Sequence, residues 1–429
     1  MKLPDRTLCR SPHSDSAQQY EKEHDKMTLA DPASLSFVPR ISANAVAAPA
    51  AAIRDPRLDF FRGMTMFIIL ISHAPNNWLA LWIPARFGFS DATEVFVFCS
   101  GMASAIAFGK VFRERGLPLG TARVAFRVWQ VYWAHIGLFV AIAATMAALN
   151  GTGLFTRDYV GQLNLHPFFN NAEVNLIGLL TLTYVPNYFD ILPMYLVVLA
   201  MMPLVIALAQ FHKLAAFAFV IIVWLGANSG TLWLPAEPWS NREWFFNPFG
   251  WQLIFFTGFA FMSGWIPAPP VDRRLVILAL VIVLAIVPLA HFRIINEVEA
   301  IRVWRGEWVL LFQKTDFGIL RYVHFLALAY LAYVAVGPKG VRLLPSNTAS
   351  LLALVWRATL AIIMKVGQQS LAIFITSMFL ARLMGVAFDV LGRTVWTMAL
   401  VNAVGFAILI ATAYGAGWFK SQPWRARRA

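Results

Sequence analysis

Apolar residues run along this chain in long blocks separated by short polar connections. They show neither the strict alternation of half-buried strands nor the narrow stripe of surface helices. A hydrocarbon layer about 30 Å thick takes roughly 20 helical residues. On that measure about ten transmembrane helices are predicted, near 58–79, 91–109, 124–148, 181–209, 214–234, 247–265, 275–291, 317–336, 367–388 and 394–417. One more apolar run, SLLALVWRATLAIIMKV, carries Arg357 and Lys365 and predicts a helix lying in the interface rather than a crossing. The expected fold class is all-α, a polytopic integral membrane protein.

Composition agrees with that class: 59% of the residues are hydrophobic and 13% charged, more apolar surface than a soluble core can absorb. A net charge of +13 would suggest nucleic acid in a soluble chain, but here the charge falls on alternate connections and marks topology instead. Those connections carry Lys110, Arg113 and Arg115, then Lys213, Arg273 with Arg274, Lys339 with Arg342, and finally Lys420, Arg425, Arg427 and Arg428. With Arg54, Arg57 and Arg62 at the start of the first span, the positive-inside rule predicts both termini in the cytoplasm. Residues 1–53, polar and then alanine-rich, are expected to form a disordered cytoplasmic tail. Residues 54–420 form the membrane domain and 421–429 a short basic cytoplasmic tail. The opposite connections 149–180 and 292–316 are longer and of mixed charge, suited to covering a polar site on the outer face. Cys9 and Cys99 make no disulfide framework, and Cys99 is expected as a small core residue.

Ionisable residues inside apolar spans are costly and therefore point to chemistry or to buried partners. Arg62 and His73 lie eleven residues apart in the first span, which puts them on one helix face about 16 Å apart. Asp91 and Glu94, three apart at the start of the second span, can approach His73. A carboxylate on an imidazole fixes its tautomer and raises its basicity, as a general base requires. The alternative reading makes both acids interfacial and His73 a packing residue. Arg123 and Arg127, one turn apart in the third span, can join Arg62 in holding phosphates. Asp190, Arg321 and His324 are further intramembrane candidates, for substrate hydroxyls or a carboxylate. His135 reads as packing, Ser100-Gly101 as a close helix contact, and Gln368, Gln369 and Ser370 as interhelical hydrogen bonders. Trp239, Trp244 and Trp251 either stack on sugars or belong to the interfacial aromatic belt. No metal site is expected.

The string RLDFFRG from Arg57 to Gly63, His73 eleven residues after Arg62, and EVFVFCSG from Glu94 to Gly101 resemble the membrane acyltransferase type 3 superfamily. The flanks LISHAPNN, FSDATE, VYWAH, DILPMY, LRYVHFLALAY and GQQSL resemble its branch that succinylates osmoregulated periplasmic glucans. That resemblance implies a multi-pass protein of the bacterial inner membrane. It implies acyl transfer, succinyl or acetyl, from cytoplasmic acyl-coenzyme A to a hydroxyl of an extracytoplasmic glycan. Acyl-coenzyme A would be a substrate, with no cofactor held tightly. His73 would match the catalytic histidine, as general base or acyl carrier, Arg62 the arginine of its motif, Glu94 the acid before Ser-Gly, and Arg127 a third-helix arginine. Two departures stand out: Val124 occupies the position of a second third-helix arginine, with Arg123 one residue off, and Thr376 or Ser377 stands where a late-helix histidine is common. The competing class is a transporter or flippase for a small anion or glycolipid, with the same residues lining its route. The bilayer is a partner in either class, nucleic acid in neither, and the oligomeric state is left open.

Overall fold

The computed structural model describes residues 55–346 and 350–425. The expected disordered tail 1–53, Arg54, and Arg427 and Arg428 of the basic tail lie outside the described residues.

Helix α1 (Pro56–His73) is opened by Asp55, whose carboxylate accepts the Arg57 backbone N–H, and by a proline at its first position. It ends because Ala74 is extended ahead of Pro75 and Asn76 turns left-handed, with φ 61°. Helix α2 (Ala92–Gly151) starts with a capping box: Asp91 accepts the Thr93 N–H while Glu94 accepts the Asp91 N–H. It holds two predicted spans, divided by a kink at Gly116, φ 78°, two residues before Pro118. The kink falls on the basic connection of Arg113 and Arg115. Then follow α3 (Ile191–Phe211), α4 (Lys213–Asn228), α5 (Pro248–Met262), α6 (Arg273–Ala290), α7 (Ile319–Val336), α8 (Leu351–Gln368), α9 (Ser370–Leu391) and α10 (Val395–Ser421). The ten predicted spans fall on these helices, and the all-α membrane class holds. Among the described residues, α2, α3, α6, α7, α8, α9 and α10 are long and apolar enough to cross a membrane.

Helix α8, expected to lie in the interface rather than to cross, is among the helices long and apolar enough to cross, and it packs along α1. Trp356 donates to the Leu343 carbonyl and packs against Phe60, with ring centroids 6.4 Å apart. Gly63 lies against the Ile363 carbonyl, Gly367 against the Asp59 carbonyl, and Lys365 over the Tyr414 ring. The Asp59–Gly367 and Gly63–Ile363 pairs step together by one turn, so α8 runs antiparallel beside the first half of α1. Helix α9 runs parallel to α1, Ser370 beside Arg62 and Arg382 beside His73. Helix α10 runs back, Asn402 bonded to Asn77 and Gly417 against Lys365. The start of α1 and the end of α10 therefore share one end of the bundle.

The Ser100-Gly101 pair is a close contact, as its small residues predict. A Cβ on Gly101 would come within 1.9 Å of the Phe255 carbonyl oxygen, and one on Gly258 within 2.2 Å of the Phe98 oxygen. Helices α2 and α5 thus touch backbone to backbone, and neither neighbour is a side chain that can swing away. Gly101→Ala is expected to destabilise the detergent-solubilised protein by about 1–3 kcal/mol. Gly137→Ala, where nothing lies within 4 Å, should be neutral or stabilising by up to about 1 kcal/mol. Thermal unfolding of the two variants side by side checks this, and equal effects would refute the close-contact account.

Candidate active site

Helix α1 runs out at the wall of a cavity of about 500 Å³, whose polar lining includes Ser72, His73, Asp91, Tyr188, Asp190 and Lys314, with Phe245, Phe246 and Phe374 on its apolar side. His73 is the last residue of α1. Its Nδ1–H donates to the Ile69 carbonyl at 2.9 Å, and the Ser72 hydroxyl donates to the same oxygen. With the Nδ1 proton used in this way, Nε2 carries the imidazole lone pair. The His73 carbonyl in turn accepts a hydrogen bond from Arg382 of α9. The Arg382 guanidinium lies 4.7 Å over the ring of Tyr188, which meets the His73 ring in a T-shaped contact at 6.4 Å between centroids.

The two acids at the start of α2 do not orient His73, contrary to the expectation from sequence. Asp91 Oδ2 lies 2.5 Å from Lys314 Nζ, and Glu94, fully buried, lies 2.6 Å from Arg321 Nη1. Their other oxygens are taken by the capping box, so the histidine's partner is a helix carbonyl instead. Asp91 still shares the cavity with His73, whereas Glu94 lies behind it. Arg321 and His324 do not line the cavity either: Arg321 neutralises Glu94, and His324 Nδ1 accepts from the Ser90 backbone N–H at 3.2 Å and meets its hydroxyl at 2.7 Å. Both are buried partners of the α2 start. Asp190 does line the cavity, with Oδ1 accepting the Phe245 N–H at 3.0 Å.

The connection between α6 and α7 supplies Lys314 to the cavity. Trp251, fully buried, donates its indole N–H to the Lys314 carbonyl, and Phe246 sits under the ammonium at 5.5 Å from the ring centroid. Trp244 is buried too, donating to Pro235, and Trp239 stays half-exposed beside Tyr184. Neither Trp244 nor Trp251 is free to stack on a sugar. Lys314, Tyr188 and Arg382 were missed from sequence. Arg382 carried a usable signal, being a cation within the apolar run of α9; Lys314 and Tyr188, in loops, carried none.

At the other end of α1, Arg62 donates to Ser370 Oγ at the start of α9, and its Nε is buried without a partner. Arg127 and Lys420 lie close enough to act on its charge. Arg123, one turn nearer the α2 kink, is exposed. Gln368 donates to Asp59 at 3.3 Å and Ser370 accepts from Arg62, the interhelical roles expected of them. Cys99 and His135 are buried; both ring nitrogens of His135 lack partners. No group of three or more metal-ligating side chains occurs among the described residues.

An all-α membrane protein with a cavity lined by polar and aromatic side chains from its helices and connections is the class defined so far. The chain belongs to the OpgC family: a family model described as OpgC protein matches residues 54–421. It is thus an OpgC-type glucan-modifying bacterial membrane protein, a transferase by class. No curated protein and no solved structure matches it.

Breaking a buried ion pair from one side leaves an uncompensated charge and costs about 3–5 kcal/mol, while replacing both partners by apolar groups costs far less. Glu94→Met alone is therefore expected to cut folded yield and melting temperature sharply. Adding Arg321→Met should restore most of the loss, and a double variant no better than the single one would contradict the pairing.

Proposed function

We propose that this chain is an O-acyltransferase of the bacterial inner membrane that moves an acyl group from cytoplasmic acyl-coenzyme A to a hydroxyl of a periplasmic glucan. The observation that supports this best is His73, with Nδ1 tied to a helix carbonyl and Nε2 left as acceptor, on a cavity shared with Asp91, Asp190 and Lys314. A sugar hydroxyl needs a base for its proton and positive charge for the oxyanion. His73 Nε2 takes the proton as the hydroxyl oxygen attacks the thioester carbonyl. The Lys314 ammonium supplies positive charge to the cavity, and Asp190 accepts from the acceptor's hydroxyls. Collapse of the tetrahedral intermediate breaks the carbon–sulfur bond, and the imidazolium returns the proton to the leaving thiolate. The products are the glucan ester and free coenzyme A.

The donor's phosphates fit the other end of α1, about 16 Å away along its axis, where Arg62, Arg127 and Lys420 gather with one buried guanidinium nitrogen unpartnered. Guanidinium groups suit phosphate recognition. Both termini are cytoplasmic on this reading, which puts that cluster on the donor's side and the His73 cavity towards the acceptor.

Membranes supplied with labelled succinyl- or acetyl-coenzyme A and periplasmic glucan should put label into the glucan, and His73→Ala at equal expression should lower that transfer at least a hundredfold. Equal transfer by His73→Ala would remove it as the base. No coenzyme A-dependent transfer by the intact protein would favour a transporter instead. Separately, Arg127→Gln and Lys420→Gln are each expected to raise the KM for acyl-coenzyme A several-fold while leaving kcat within about twofold, because such contacts bind ground state and transition state alike. Unchanged KM values in steady-state transfer would rule the cluster out as the donor site.

A further inference from the structure

Arg382 belongs to none of the groups invoked so far, and its surroundings are unusual for an arginine. It lies in the apolar interior of α9 and is 7 % exposed, yet no carboxylate pairs with it among the described residues. The acid two turns further on, Asp389, is already bonded to Arg157 and Arg393. A buried charge is normally retained with a counterion, so the site must compensate it otherwise. Two contacts do this: the His73 carbonyl, at the negative end of the α1 dipole, and the face of the Tyr188 ring.

Tyr188 is the second unusual feature. It has φ 74°, a conformation that a bulky aromatic residue rarely adopts, and such strain persists where the surroundings over-determine it. The residue is half-exposed and lines the His73 cavity, with Asp190 two residues on. Arg382 on its ring and His73 in a T-shaped ring contact are the contacts that bear on it.

We propose that Arg382 is a positioning residue for acyl transfer. Its one planar guanidinium ties the carbonyl end of α1 at His73 to the ring of Tyr188, so that base and cavity wall keep a single spacing. The inference rests on the acyl-transfer reading with His73 as base. Arginine is required because the same group must donate along its edge and stack through its face, which an ammonium cannot do.

The test measures kcat and KM for acyl-coenzyme A in membranes carrying full-length wild type, Arg382→Ala, Arg382→Lys and Tyr188→Leu, each normalised to its monodisperse fraction. A misplacement of about 1 Å at a reacting group can cost about a hundredfold. Arg382→Ala should accordingly lose about a hundredfold in kcat with donor KM unchanged. Millimolar guanidinium should restore at least tenfold of that loss, which a general folding defect would not show. Tyr188→Leu should lose kcat in the same way but without rescue. A kcat within twofold of wild type, or a loss that guanidinium does not relieve, would overturn the proposal. Where Arg382→Ala gives no folded protein, Arg382→Lys decides: at least a tenfold loss of kcat at constant donor KM supports positioning, and wild-type kcat refutes it. Full transfer by His73→Ala would overturn the underlying reading itself, independently of the Arg382 variants.

Discussion

The end of α1 sets the conditions for everything around it. A helix leaves its last four carbonyls without intrahelical donors, and inside a membrane there is little water to satisfy them. Pro75 stops α1 within the bundle, so these carbonyls must find protein partners. Of these, Leu70 takes the Ala74 N–H and His73 takes Arg382, while one residue further back the Ile69 carbonyl takes the Ser72 hydroxyl and the His73 Nδ1–H as additional donors. The imidazole is thus tied back onto the last turn of its own helix. That bond fixes the tautomer, and with it the nitrogen left over for chemistry. No carboxylate is needed for that purpose, which is why Asp91 and Glu94 are free to serve elsewhere.

Where they serve follows from the same electrostatics applied to the opposite helix end. The first turn of α2 presents free N–H groups and positive dipole charge, and carboxylates there are stabilised. Two anions so close together in a buried place need two cations, and residues 314–321 deliver them: Lys314 to Asp91 and Arg321 to Glu94. Trp251 holds the Lys314 backbone and His324 holds Ser90, so the pairing fixes the start of α2 relative to α5 and α7. One consequence reaches the cavity: Lys314 arrives there already positioned, because its neighbours are committed to structure.

The spans could be read from the chain because hydrophobic length is a local property, and Ser100-Gly101 because only small residues permit the contact they make. Arg62 and His73 stood out by the same cost of burial that singles out Arg382. That rule marks a polar residue as accompanied; it does not say by what. Glu94 and Arg321 looked functional because each is expensive alone, and 227 residues separate the partners that cancel the expense. Lys314 and Tyr188 sit in connections where polar residues cost nothing, so no local pattern marks them. Their meaning depends on how the loops fold back over α1, which is tertiary information. Arg123 and Arg127 differ by one turn near the Gly116 kink, which leaves Arg123 exposed and Arg127 partly buried.

Two parallel helices then convert these local arrangements into a fixed distance. Helix α9 is joined to α1 at both ends, Ser370 to Arg62 and Arg382 to the His73 carbonyl. In α9 those positions are twelve residues apart and in α1 eleven, so at about 1.5 Å per residue the two rungs match to within a few ångströms. A change in tilt or register of either helix would break one rung and leave a buried polar group unsatisfied, at a cost of about 1–3 kcal/mol. The separation between the cationic cluster and the His73 cavity is therefore a property of paired rigid helices rather than of loops. On an acyl-transfer mechanism that separation has to match a donor held by its phosphates and reacting at its far end.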